Sequence, residues 1–84
     1  MQQSKRYTIM RKRLSELKIG DKAIIETIEN EELTTLMYEM GILPNTTVTL
    51  ETIAPLGDPI VINNGNYSLS IRKSEAQFIW VNIL

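Results

Sequence analysis

Residues 31–50, EELTTLMYEMGILPNTTVTL, read as a short helix that stops hard and turns into a strand. Leu33, Leu36, Met37 and Met40 fall at i, i+3, i+4 and i+7, which predicts that all four share one helical face. Asn30 is a suitable N-cap, and Glu31 and Glu32 stand in the first turn, where the helix dipole favours negative charge. Gly41 follows where the chain needs a left-handed residue, and Ile42 can fold back onto the last turn. Leu43-Pro44-Asn45-Thr46 has the form of a type II turn, with Pro44 at its second position and Asn45 accepting positive φ at its third. From Thr46 the period drops to two, with Val48 and Leu50 facing one way and Thr47, Thr49 and Glu51 the other.

Upstream, Leu14-Ser15-Glu16-Leu17 suggests one helical turn, and Gly20-Asp21 opens a strand at Lys22. In that strand Ile24 and Ile28 share one face and Ala23 and Ile25 the other, unless a bulge intervenes. Downstream, Ala54-Pro55-Leu56-Gly57-Asp58-Pro59 breaks the β pattern, because proline has no N–H to give a ladder. Ile60-Val61-Ile62 is a short apolar strand, and Asn64-Gly65 marks a hairpin into a second strand in which Tyr67, Leu69 and Ile71 alternate with polar residues. Ser74-Glu75-Ala76-Gln77 has the S-x-x-Q form of a capping box, which predicts a helical turn before a last strand, Phe78 to Ile83. The whole predicts a mainly β chain, a small barrel of about five strands with one short α-helix, since closure removes exposed edges. An open sheet under one helix is the competing architecture.

The 84 residues suffice for one small domain, and 43% hydrophobic with 23% charged residues is a globular composition. Cysteine and histidine are both missing, which removes disulfides, the commonest general base and the commonest transition-metal ligand. The serines have no base beside them, and the four glycines are isolated, so neither nucleophilic catalysis nor a phosphate loop is indicated. Glu29, Glu31 and Glu32 lack the spacing of a calcium loop, and Met37 with Met40 reads better as core than as soft metal ligands. No metal, cofactor or catalytic residue is expected: the sequence points to a binding module. No apolar run is long enough to span a bilayer, and a cytoplasmic location is the expectation. Charge is uneven. The first thirteen residues carry Lys5, Arg6, Arg11, Lys12 and Arg13 without an acid, whereas the remainder has four basic and ten acidic side chains. A basic arm, residues 1–13, thus precedes an acidic body.

Three stretches in order carry a family resemblance: Leu14-Ser15-Glu16-Leu17 with Gly20-Asp21; Met40-Gly41-Ile42-Leu43-Pro44 with Val48; and Ala54-Pro55-Leu56-Gly57-Asp58-Pro59-Ile60 leading to Leu69-Ser70-Ile71-Arg72-Lys73-Ser74-Glu75-Ala76. Together they make residues 14–84 resemble FeoA proteins of ferrous iron transport. The resemblance implies an SH3-like barrel and an accessory role in the cytoplasm, with a peripheral place at the inner face of the membrane left open. The implied partner is FeoB, a membrane permease with a cytosolic GTP-binding domain whose activity the small protein would modulate. The same module occurs as the C-terminal domain of iron-dependent repressors; with no DNA-binding domain preceding it, a free-standing protein is expected here. The helix lacks the basic residues often found before the glycine in such proteins, and Asn45 replaces the glycine usual after the proline.

The expected contact residues for that partner are Leu56, Gly57 and Asp58 with Phe78 and Trp80, because aromatic residues anchor interfaces. The same two aromatics could instead cover a satellite core with Tyr7 and Ile9 of the arm. Asn30, Gly41, Pro44, Asn45 and Gly65 are assigned to caps and turns, and a homo-oligomer stays open. The alternative is a nucleic-acid-binding or metal-responsive regulatory module, against which the acidic body argues for nucleic acid.

Overall fold

The computed structural model describes residues 10–84. Its helix α1 (Glu31–Glu39) begins as the sequence suggests, with Asn30 Oδ1 accepting the Leu33 N–H at 2.9 Å. It ends in a Schellman arrangement: the Ile42 N–H donates to Met37 O at 2.8 Å, and the Gly41 N–H to Tyr38 O at 3.1 Å. Gly41 holds φ +78°, where a Cβ would be strained and would also lie 3.2 Å from Asn64 Nδ2. Asn45 at φ +75° and a Thr46 N–H donated to Leu43 O complete the turn after Pro44. Leu33, Met37 and Ile42 are buried, but Leu36 is 44% exposed. At 100° per residue Leu36 points roughly 70° away from the mean direction of Leu33, Met37 and Met40, and so reaches the margin of the buried face.

The sheet has six strands among the described residues: β1 (Met10–Arg13), β2 (Lys22–Ile28), β3 (Thr47–Ile53), β4 (Ile60–Asn63), β5 (Ser68–Ile71) and β6 (Ile79–Ile83). All pair antiparallel in the order β1-β6-β2-β3-β4-β5. Alternate side chains (Ala23, Ile25, Val48, Leu50, Ile60, Ile62, Ile79 and Val81) are buried inside the curled sheet. Each isoleucine, leucine or valine so buried stabilises the fold by about 1.5–3 kcal/mol. Leu14 of a 3-10 turn (Leu14–Glu16), Leu17, and Ala76 of the four-residue helix α2 (Lys73–Ala76) close one opening, with α2 packed on the 3-10 turn.

One strand more is present than the sequence reading predicts. Met10–Arg13, placed there in the basic arm, pairs with β6 from Met10↔Ile83 to Arg13↔Trp80. The segment carries no apolar alternation, because its hold on the sheet comes from backbone pairing and from Arg11 and Arg13 lying over the Trp80 ring, 4.0 and 4.9 Å from its centroid. Tyr7 and Ile9 lie outside the described residues.

Two bulges curl the sheet. The register of β2 on β6 shifts between Ile25 and Thr27, and that of β3 on β4 between Leu50 and Thr52, so Glu26 and Glu51 are the extra residues. The first shift returns Ile28 to the core side opposite Ile79, on the face of Ile25 rather than of Ile24. The second does the same for Ile53 opposite Ile60. Each glutamate reaches across one strand to an outer one. Glu26 pairs with Arg11 of β1. Glu51 accepts from Asn63 Nδ2 at 2.9 Å and Ser68 Oγ at 2.9 Å.

The β4–β5 hairpin forms around Gly65, at φ +102°. Asn64 Oδ1 accepts the N–H groups of Asn66 and Tyr67 at 2.9 and 2.8 Å, and its Nδ2 donates to Met40 O at 3.3 Å, tying the hairpin tip to the end of α1.

Candidate functional site

The sequence between β5 and β6, Arg72-Lys73-Ser74-Glu75-Ala76-Gln77-Phe78, builds a ridge with a cleft on either side. Its helix starts earlier than the S-x-x-Q pattern predicts. Arg72 is the N-cap, and its N–H donates to Glu75 Oε1 at 3.2 Å, so the glutamate three residues on serves as the box acid. A residue distant in sequence supplies the other half of the cap: Asp58 Oδ1 accepts the Lys73 N–H at 3.0 Å. Ala76 points into the core, which turns Ser74 and Glu75 outward.

On one side of α2 lies an open, polar cleft of about 480 Å³ between Asp58, Pro59, Ser70, Arg72 and Glu75. On the other is a cleft of about 200 Å³ whose walls are the N-terminal half of α1 and the α2–β6 junction. Leu36 and Phe78, 44% and 39% exposed, form its apolar lining, and Asn30, Glu32, Ser74 and Glu75 its polar rim. Phe78 is held there because its carbonyl accepts the Glu29 N–H at 2.8 Å just before β6 begins. Glu75 borders both clefts.

The predicted contact residues are thus divided by the fold. Asp58 and Phe78 flank α2, one in each cleft. Leu56, almost fully exposed, stands on the loop leading to Asp58, and Gly57 at φ +92° closes that loop by donating to Ala54 O at 2.7 Å. Trp80 borders neither cleft and lies under Arg11 and Arg13 instead. Leu36 does share a face with Leu33, Met37 and Met40, and its offset from their mean direction is the signal that assigns it to the cleft. The roles of Arg72 and Glu75 could be read from the R-x-x-E spacing, which recurs at Arg13 and Glu16, where Arg13 N–H donates to Glu16 Oε1 at 2.8 Å.

Chemically, these clefts offer apolar contact, hydrogen-bond acceptors and one guanidinium. Among the described residues no three acidic side chains gather as a cation site, and Glu31 and Glu32 lie in the first turn of α1. Among the same residues no helix is long and apolar enough to cross a membrane.

The family model described as FeoA domain matches residues 12–83. A Porphyromonas gingivalis protein, an Fe(2+) transport protein A/Fe(2+) transporter FeoB fusion, is 36% identical over 73 residues; the match covers 86% of this chain but only 9% of the fusion protein's length. The solution structure of FeoA from Chlorobium tepidum is 34% identical and superposes with a TM-score of 0.82, covering 87% of this chain and 70% of that one. FeoA of Stenotrophomonas maltophilia, described as a procaryotic SH3 domain protein and solved with zinc, is 26% identical, with a TM-score of 0.70 over 81% of this chain and 86% of that one. The six-stranded sheet with its single longer helix is an SH3-like small barrel, and the family match runs from within β1 to the end of β6: the chain belongs to the FeoA family.

Proposed function

We propose that the chain is a non-catalytic accessory protein of ferrous iron uptake that binds an FeoB-like permease through the permease's cytosolic GTP-binding domain and modulates it. The observation that carries this reading is the Porphyromonas gingivalis fusion, in which a segment 36% identical to this chain is joined to FeoB. Covalent linkage holds two modules at an effective concentration in roughly the millimolar range, which suits modules that act together. The absence of histidine and cysteine from the sequence supports a role in contact rather than in catalysis. Iron is the permease's cargo in this reading, and no ligand set on this chain is invoked.

The contact surface we assign is the α2 ridge, with Leu36 and Phe78 as apolar anchors and Leu56, Gly57 and Asp58 at the other flank. Half-exposed apolar side chains inside a polar rim are the usual layout of an interface centre. The test is titration of the ¹⁵N-labelled protein with the permease's cytosolic domain. Amide shifts grouped at Gly57, Asp58, Ser74 and Phe78 are expected. Leu36→Ser, at an exposed position, should keep the amide dispersion and weaken binding about ten-fold or more. Saturating partner with no shifts, or shifts confined to the β3–β4 face, would overturn the assignment.

A further inference from the structure

The barrel is polarised along β2 and β6. At one end, the Leu84 N–H donates to Lys22 O at 2.9 Å, and Met10 and Ala23 both pair with Ile83. The turn Lys18-Ile19-Gly20-Asp21 immediately precedes Lys22. Three large apolar side chains stand exposed at this end: Met10 at 51%, Ile19 at 61% and Leu84 at 67%. Lys18 and Lys22 are exposed beside them, and Arg11 and Lys12 follow Met10 on β1. Of the seven basic side chains among the described residues, five fall between positions 11 and 22. Of the acids nearby, Asp21 Oδ2 accepts the Lys18 backbone N–H at 2.8 Å, and Glu26 pairs with Arg11.

The opposite end of the same two strands carries Glu29, Glu31 and Glu32 around the start of α1, next to the Leu36–Phe78 cleft. The seven residues of β2 separate these ends by roughly 20 Å. That is about two Debye lengths at physiological ionic strength, so the acidic end does not cancel the basic one.

We infer that the Met10–Ile19–Leu84 end docks on an anionic bilayer surface, its apolar tips entering the headgroup boundary while Lys18 and Lys22 face the lipid phosphates. Exposed apolar side chains interleaved with lysine and arginine suit an interface that is apolar beneath and negative above. A nucleic acid would use the charges but not the apolar tips, and neither cleft beside α2 is a basic groove able to follow its backbone. Docked this way, the chain points its acidic end and the cleft of α1 and α2 away from the lipid. The inference goes beyond the permease reading and is measured without the permease, so either can fail alone.

The test is co-sedimentation of the full chain with phosphatidylcholine vesicles and with mixed phosphatidylcholine–phosphatidylglycerol vesicles. Binding is expected only to the mixed vesicles, and it should weaken as salt rises. Lys18→Gln and Lys22→Gln should each lower the partition coefficient roughly five-fold, the equivalent of about 1 kcal/mol per basic residue. Ile19→Ser should lower it as well, at unchanged thermal stability. A second readout is selective broadening of the Lys18, Ile19, Gly20 and Lys22 amides on mixed-lipid nanodiscs. Failure to sediment with the mixed vesicles at low salt overturns the proposal. So does broadening centred on Leu36 and Phe78, indifference to Ile19→Ser, or tighter binding to single-stranded RNA than to the vesicles.

Discussion

Asp58 shows how one carboxylate can look like a contact residue and serve the fold. It sits in a proline-flanked loop, yet its oxygen caps the start of α2 by accepting the Lys73 N–H. Asp58→Ala should therefore cost about 1 kcal/mol of stability in urea denaturation, whether or not a partner is present. Asp58→Asn retains an acceptor and should cost less. Partner affinity measured on the asparagine variant then reports the charge separately from the cap. Gly41 is a second residue whose role is set by backbone. With φ +78° and the Asn64 amide 3.2 Å from where a Cβ would stand, Gly41→Ala should lose about 1–2 kcal/mol by thermal melting. Added to that would be any loosening of the hairpin that Asn64 ties to Met40.

At the scale of elements, the two bulges make the halves β1-β6-β2 and β3-β4-β5 behave alike. Each long strand ends in the same three residues, Glu-Thr-Ile at 26–28 and at 51–53, with the glutamate bulged outward and tethering an outer strand. Glu26→Ala should lower hydrogen-exchange protection in β1 and leave β5 unchanged, and Glu51→Ala should do the converse. Both effects should stay under about 1 kcal/mol, since the contacts are solvent-exposed. The cation–π stack gives β1 its second hold. A double-mutant cycle of Arg11→Ala with Trp80→Leu should return a coupling of about 0.5–1 kcal/mol. Removal of the chain through Arg13 should lower the melting temperature by several degrees, because β6 loses a neighbour and Trp80 its cover.

For the molecule as a whole, a thin core leaves little surplus stability, so its surfaces have to be separated by function. The α2 ridge and the Leu36–Phe78 cleft stand at the acidic end, and the exposed tips Met10, Ile19 and Leu84 at the basic end. If both proposals hold, substitutions at one end should change one binding measurement and leave the other intact. Leu36→Ser should spare vesicle binding, and Lys18→Gln should spare the affinity for the cytosolic domain. A single surface serving both would show the two losses together.

The sequence by itself determined the local geometry around α1: the Asn30 cap, the Gly41 stop, the Asn45 turn and the strand through Val48 and Leu50 all depend on neighbours within a few residues. It left a bulge in β2 open as an alternative, but that Ile25 with Ile28 and Leu50 with Ile53 share the core side, a spacing no regular strand keeps on one face, only the structure shows. Tertiary structure alone decided the rest. That Met10–Arg13 is a strand depends on β6 offering an open edge and on Trp80 lying beneath two arginines 69 and 67 residues away in sequence. That Asp58 caps α2, while Phe78 and Trp80 part company, depends on where β6 begins after a helix held by another loop. Capping and turn formation are short-range and legible in any window of sequence; edge pairing and long-range caps exist only once the sheet has brought their partners together.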